Sequence, residues 1–438
     1  MRLYLVATLA ACNYSPAENA TDAPPSDGAD GPLPDAGPCQ AIDTTECVGD
    51  ELRTCNVLGA QPSIKQCGWG CSNTGSPRCI EITPTGGAAT SSDALPSTLV
   101  AQTDVVIPAD SVINTTDGTI DSIAAGFSAT PTTPNATTPA AMVFRFKSLT
   151  IAGPLKVEGT RALVLIADGP ITVDGEIDTI SCNVGGASVQ LAGPGGGNGA
   201  NDENTGFGLG GGGRAAANSG GAGGGGHGAV GGVGGDPATG GVAGPAYGDA
   251  VVSKLVGGSG GGGGRGGGGG LGGGGGAAIQ LISNTGITIV GGINAGGCGG
   301  GGGGGGGSDG GGGGGSGGVI VLEAPSITIT GALAVNGGGG GGSDSGGPGG
   351  NGTLTRVAAA GGSSGGSGAD GGPGGAGASF VGQPGEDANL SSGGGGAVGR
   401  MRFNVRALPR LMIDAPDSLS PKLEDPASTT TTGTPALD

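Results

Sequence analysis

The chain has 438 residues, 113 of them glycine, with aromatics at 2%, charged residues at 12% and a net charge of −18. So few large apolar side chains cannot fill a conventional core for this length, and the β-branched residues that cluster in a few segments must carry the fold. The acidic balance disfavours nucleic acid and anionic lipid headgroups as partners.

The N-terminus runs Met1-Arg2, then an apolar stretch Leu3 to Leu9, then Leu9-Ala10-Ala11-Cys12. One basic residue, a short apolar run and small residues before a cut site describe an export signal over residues 1–12. Leu-Ala-Ala-Cys resembles the lipobox of bacterial lipoproteins, which implies cleavage before Cys12 and its lipidation. The brevity of the apolar run suggests that translation starts upstream of Met1. Lipid is then the expected membrane attachment, on the outer membrane or cell surface. Residues 13–37, rich in Pro, Asp, Ala and Gly, read as a disordered linker.

Six cysteines follow within residues 38–80: Cys39, Cys47, Cys55, Cys67, Cys71 and Cys79. An even number in a short, core-poor, exported segment predicts a disulfide-rich module, without fixing which cysteine pairs with which. Zinc is disfavoured by the lack of paired CxxC motifs and of histidine in the module. Trp69, the single tryptophan, is expected to pack against a bridge. The spacing resembles small Cys-rich modules near the N-termini of surface lipoproteins of predatory soil bacteria. Residues 81–100 read as a second linker.

From 101 to 408 an internal repeat emerges. Ungapped alignment gives Val143…Leu149-Thr150-Ile151, Leu165…Ile171-Thr172-Val173, Leu281…Ile287-Thr288-Ile289 and Val321…Ile327-Thr328-Ile329. Each is followed by a glycine (Gly153, Gly175, Gly291, Gly331) and one more apolar residue. Period-two alternation puts the aliphatic residues on one face and threonine on the other. No copy could bury its apolar face alone, whereas stacked copies bury each other, so the fold class expected is all-β, a short parallel β-helix. Met401, Phe403 and Val405 fit a fifth, degenerate copy, and Val105, Ile107, Val112 and Ile113 supply an N-terminal coil.

The chain between later copies is almost wholly glycine, at 185–276, 296–318 and 337–396, and reads as insertions leaving the β-helix near one corner. Cys182 and Cys298 stand at equivalent offsets after Gly175 and Gly291, so their sulfurs fall about one strand spacing, about 4.8 Å, apart. A Cys182–Cys298 disulfide is therefore expected. The glycine runs are either a solvated brush or bundles of polyproline-II-like strands, as around a collagen axis; partial bundling is favoured. Residues 409–438 read as a disordered tail. The Gly-rich half resembles bacterial glycine-rich surface families such as the mycobacterial PGRS proteins, without their N-terminal targeting module.

No catalytic constellation stands out, and no cofactor or metal site is expected. GxGxxG lacks a strand–turn–helix setting and no Walker lysine is present. The stretches ending in Asp236 and Asp370 match only the start of a calcium-binding nonapeptide. His227, set among glycines, is expected on the surface. Asp174, Glu176 and Asp178 form an outward acidic row without a facing partner, and Thr150, Thr172, Thr288 and Thr328 form a single threonine column. The reading that results is a non-catalytic structural or adhesive surface lipoprotein, bound to the membrane through lipid and meeting surface polysaccharide or another surface protein. Polysaccharide binding or cleavage, and ice binding, are the alternatives.

Overall fold

The computed structural model describes residues 37–94, 99, 102–136, 139–182, 189–201, 204–217, 219–236, 238–305, 309–414, 418–423 and 429–437. Cys12 and all but the last residue of 13–37 lie outside them. The described chain is nearly all β, with short helical turns at Thr85–Gly87, Ser91–Ala94 and Leu408–Arg410. Its described residues divide into a small unit, within 37–45 and 53–64, and a large one, within 46–52 and 65–437. In the small unit the Cys39–Cys55 disulfide is flanked by a hydrogen bond from the Cys39 amide to the Ala60 carbonyl at 2.8 Å.

The large unit is built on three parallel sheets. The chain visits them in turn, so each pass adds one strand to each sheet. The second sheet stacks Asp104–Ile107, Ser148–Ile151, Ile171–Val173, Ile287–Ile289, Ile327–Ile329 and Leu411–Ile413. Leu149, Ile171, Ile287, Ile327 and Leu411 pair in register. The third sheet stacks Ser111–Asn114, Leu155–Glu158, Glu176–Asp178, Gly292–Asn294, Ala332–Ala334 and Leu419–Ser420 in the same order. Antiparallel Thr119–Ile120 and Ser128–Pro131 close the first rows of the third and first sheets.

The first sheet carries Ala141–Phe146, Ala162–Ala167, Ala278–Ser283, Val319–Ala324, Arg400–Val405 and Thr430–Gly433. Here the sequence alignment was one residue out. The partners of Leu165 and Leu281 are Phe144 and Leu322, not Val143 and Val321. The bend between first and second sheet is shorter in those two rows, and a one-residue slip exchanges faces. Phe144, Leu165, Leu281, Leu322 and Phe403 therefore point into the main core, and Val143, Val164 and Val321 point away from it.

That outer face is also buried. It is covered by an apolar cluster that includes Trp69, Ile82, Ala88, Leu99, Val252 and Leu255. Burial on both faces explains why these strands read as continuous apolar runs rather than alternating ones. The described residues of 81–100 thus do not behave as a linker: Ile82 and Leu99 are fully buried. On the same face Glu323 accepts hydrogen bonds from Gln280 Nε2 (2.6 Å), Asn404 Nδ2 (2.8 Å) and the Thr85 amide and hydroxyl. Burial pushes its carboxyl up, against those donors.

The described residues of 409–438 are likewise not a disordered tail. Leu411–Ile413, Leu419–Ser420 and Thr430–Gly433 add a last strand to all three sheets, and Ala436–Leu437 pairs antiparallel with Ile82–Thr83. These strands are short and Thr- or Pro-flanked, so they carry little signal of their own; the preceding row supplies their pairing.

The corner glycines have a reason beyond turning. A Cβ on Gly175 would lie 2.0 Å from the Gly153 carbonyl carbon, and one on Gly291 would lie 2.1 Å from the Gly175 oxygen. Backbones stack there with no room for a side chain.

Candidate functional site

The four repeat threonines form a half-exposed column, with Thr150, Thr172, Thr288 and Thr328 as direct neighbours. Exposed Val106 and Met412 bound it at its two ends. On the third sheet, Asp110, Lys156, Glu176 and Asp178 line one open trough of about 390 Å³. Lys156 lies in register with Asp178. Partial burial, then the neighbouring Asp178 charge, raises the Glu176 carboxyl. Asp174 is exposed at the preceding corner and does not line this trough, so the structure splits the acidic row.

The cysteines are joined as Cys39–Cys55, Cys47–Cys71, Cys67–Cys79 and Cys182–Cys298. The last links the third and fourth rows with an S–S distance of 2.05 Å across a sequence separation of 116. Trp69, at 3% exposure, is packed rather than displayed.

The glycine runs are tied together through their backbones. In the run 310–318, amides 312, 315 and 318 donate to carbonyls 301, 298 and 295. Amides 311, 314 and 317 donate to 391, 394 and 397, while 310, 313 and 316 donate to 265, 262 and 259. These nine bonds measure 2.8–3.1 Å, with Gly315 to Cys298 at 2.8 Å and Gly314 to Gly394 at 2.9 Å. Every third amide reaches the same neighbour, the periodicity of three residues per turn. Close approach is what glycine permits: a Cβ on Gly313 would stand 2.0 Å from the Gly223 oxygen.

Runs at the outside repeat with the same period in exposure. Val230 and Val233, Val242 and Pro245, Val357 and Ala360, and Val381 and Pro384 are exposed, each pair three residues apart. Hydrogen bonds from Gly234 to Gly241, from Gly385 to Val233, from Gln383 to Pro373 and from Gly374 to Ala359 join these runs side by side. The result is a layer of small apolar side chains on a hydrogen-bonded backbone, with Val242 at 71% and Val357 at 73% exposure. The carboxylates of the two calcium-like stretches turn back to their own loops, Asp236 to the Ala238 amide and Thr239 hydroxyl, Asp370 to the Ser364 amide.

His227 is the main departure from expectation. It is 3% exposed, its Nδ1 lies 2.8 Å from the Gly317 carbonyl oxygen, and its ring stacks on Tyr247 at 4.5 Å between centroids. Reading its flanking glycines as solvated hid this; glycines that pack leave room for an aromatic neighbour. Burial, helped by the Arg400 charge, pushes the imidazole down to about 4. An unfolded histidine titrates near 6.5, so the unfolded state binds the extra proton between these values. Stability from this group is present above pH 6.5 and is lost as pH falls toward 4, by about 3 kcal/mol. The check is urea unfolding at pH 7 and pH 4: wild type should lose about 3 kcal/mol more than His227→Gln. Equal losses would refute the assignment.

Among the described residues no helix is long and apolar enough to cross a membrane, and no group of three or more His, Cys, Asp or Glu is placed to hold a metal ion. Comparison with protein-family models, curated proteins and solved structures finds no match.

Proposed function

We propose that the protein is a non-catalytic structural or adhesive surface lipoprotein. Cys12 carries the lipid, the three sheets are the faces of a short parallel β-helix, and the runs at 185–276, 296–318 and 337–396 are insertions bundled as polyproline-II rods. The observation that carries this reading is the period-three pattern of amide donors and of exposed side chains. A backbone so tied is a stiff platform, and what it presents outward is small, apolar and regular. The acidic trough supports a second reading, binding of a polysaccharide through Lys156 and the flanking carboxylates.

The test is display on a bacterial host. Wild type should stay with the membrane fraction and promote cell–cell or cell–surface attachment, and Cys12→Ala should release the protein to the medium. The triple variant Val233→Asp, Val242→Asp, Val357→Asp should keep its circular dichroism and lose attachment at least tenfold. Attachment unchanged in the triple variant but lost in Lys156→Glu would replace the adhesive layer with the trough. Thermal hysteresis of the purified protein, abolished by the same valine changes, would instead make the layer an ice-binding one.

A further inference from the structure

Arg400 opens a strand of the first sheet beside the turn Tyr247–Asp249. Its Nε donates to the Tyr247 carbonyl at 3.1 Å, and its other N–H groups donate to no described residue. Next to it lies a cavity of about 70 Å³ walled by Leu209, His227, Tyr247, Asp249, Val252 and Arg400. Gly248 marks where the polar groups converge. A Cβ there would sit 3.2 Å from Arg400 Nε and 3.9 Å from His227 Nε2, with no backbone atom nearer.

The charges facing this space are few. Asp249 already accepts from the Ser253 amide and hydroxyl. Lys254 lines the wall, but its ammonium donates to the carbonyls of Asn135 and Ala136. The Tyr247 hydroxyl donates to the Gly257 carbonyl. That leaves a guanidinium with free donors and an imidazole nitrogen, over an apolar wall of Leu209 and Val252. Arg400 and Asp249 offset each other, so an arriving anion is balanced only when the imidazole takes a proton. A planar guanidinium and an imidazolium are the donors that suit a carboxylate, and the apolar wall suits a short alkyl group.

We propose that this cavity binds a small monocarboxylate between Arg400 and His227, with uptake of one proton by His227 from solvent. A dianionic oxyanion would carry excess charge beside Asp249, and the volume holds little more than a carboxyl group and one or two carbons. The proposal stands apart from the adhesive reading and does not need it.

His227 is the single histidine of the chain, so its imidazole proton resonances report on this site alone. The probe is sodium acetate, with sodium chloride at equal ionic strength as reference and sodium phosphate as the competing oxyanion. Acetate should raise the titration midpoint of the ring, and its affinity should increase toward tenfold per pH unit as pH falls from 7 to 5. Arg400→Gln should abolish the acetate effect. Leu209→Trp, at a residue 68% exposed, should abolish it by filling the cavity even if the arginine variant fails to fold. A midpoint that acetate moves no more than chloride does, or an acetate shift that survives in Leu209→Trp, would overturn the proposal. So would a shift produced by phosphate and not by acetate.

Discussion

Gly313→Ala will destabilise the protein by about 3 kcal/mol or more, while Gly267→Ala will leave it unchanged or add about 0.5 kcal/mol. Both changes add one methyl group to a glycine run. At Gly313 the new Cβ would stand 2.0 Å from the Gly223 oxygen and 2.5 Å from its carbonyl carbon. Those are backbone atoms of a neighbouring run, so the two runs must part, and the bonds that join them, from the Ala222 amide to Gly311 and from the Gly225 amide to Gly314, go with them. At Gly267 nothing lies within 4 Å of the new methyl. There the substitution only narrows the unfolded ensemble. Urea unfolding of the two variants beside wild type decides the matter. Equal, small effects would mean that the runs are not packed on one another in solution.

Replacing Cys182 and Cys298 together by serine should cost about 4–5 kcal/mol, because the bridge closes a loop with a sequence separation of 116. The denatured chain gains the freedom of that whole excursion, which includes the buried Val252 and Leu255. The other three disulfides remain, so the loss is specific to this clamp. Thermal unfolding of the double variant, with the wild type under non-reducing conditions as reference, gives the measurement. A loss under about 1 kcal/mol would show that the excursion is held by its backbone bonds alone.

What the sequence displayed was the alternating part of the design. Ile171, Val173 and Ile177 announce their face through period two, and the second and third sheets pair them as the repeat implies. The first sheet did not announce its face, because Val164 and Leu165 are both buried on opposite sides. A run that is apolar throughout carries no phase, and the alignment slipped by one residue at Val143 and Val321 for that reason. Covering residues were harder still. Ile82, Leu99, Val252 and Leu255 fall in short stretches that show no period, and only the fold collects them. His227 belongs to the same class. Nothing local marks it as packed, since its partners Gly317, Tyr247 and Arg400 arrive from three distant stretches.

A run such as 310–318 is fastened at staggered points to three others through its amides and to further ones through its carbonyls. Sever one thread of such a mesh and both cut ends stay knotted in place. A protease that nicks an exposed loop of these excursions gains no free end to pull, and a force applied to the outer layer spreads sideways before any single segment yields.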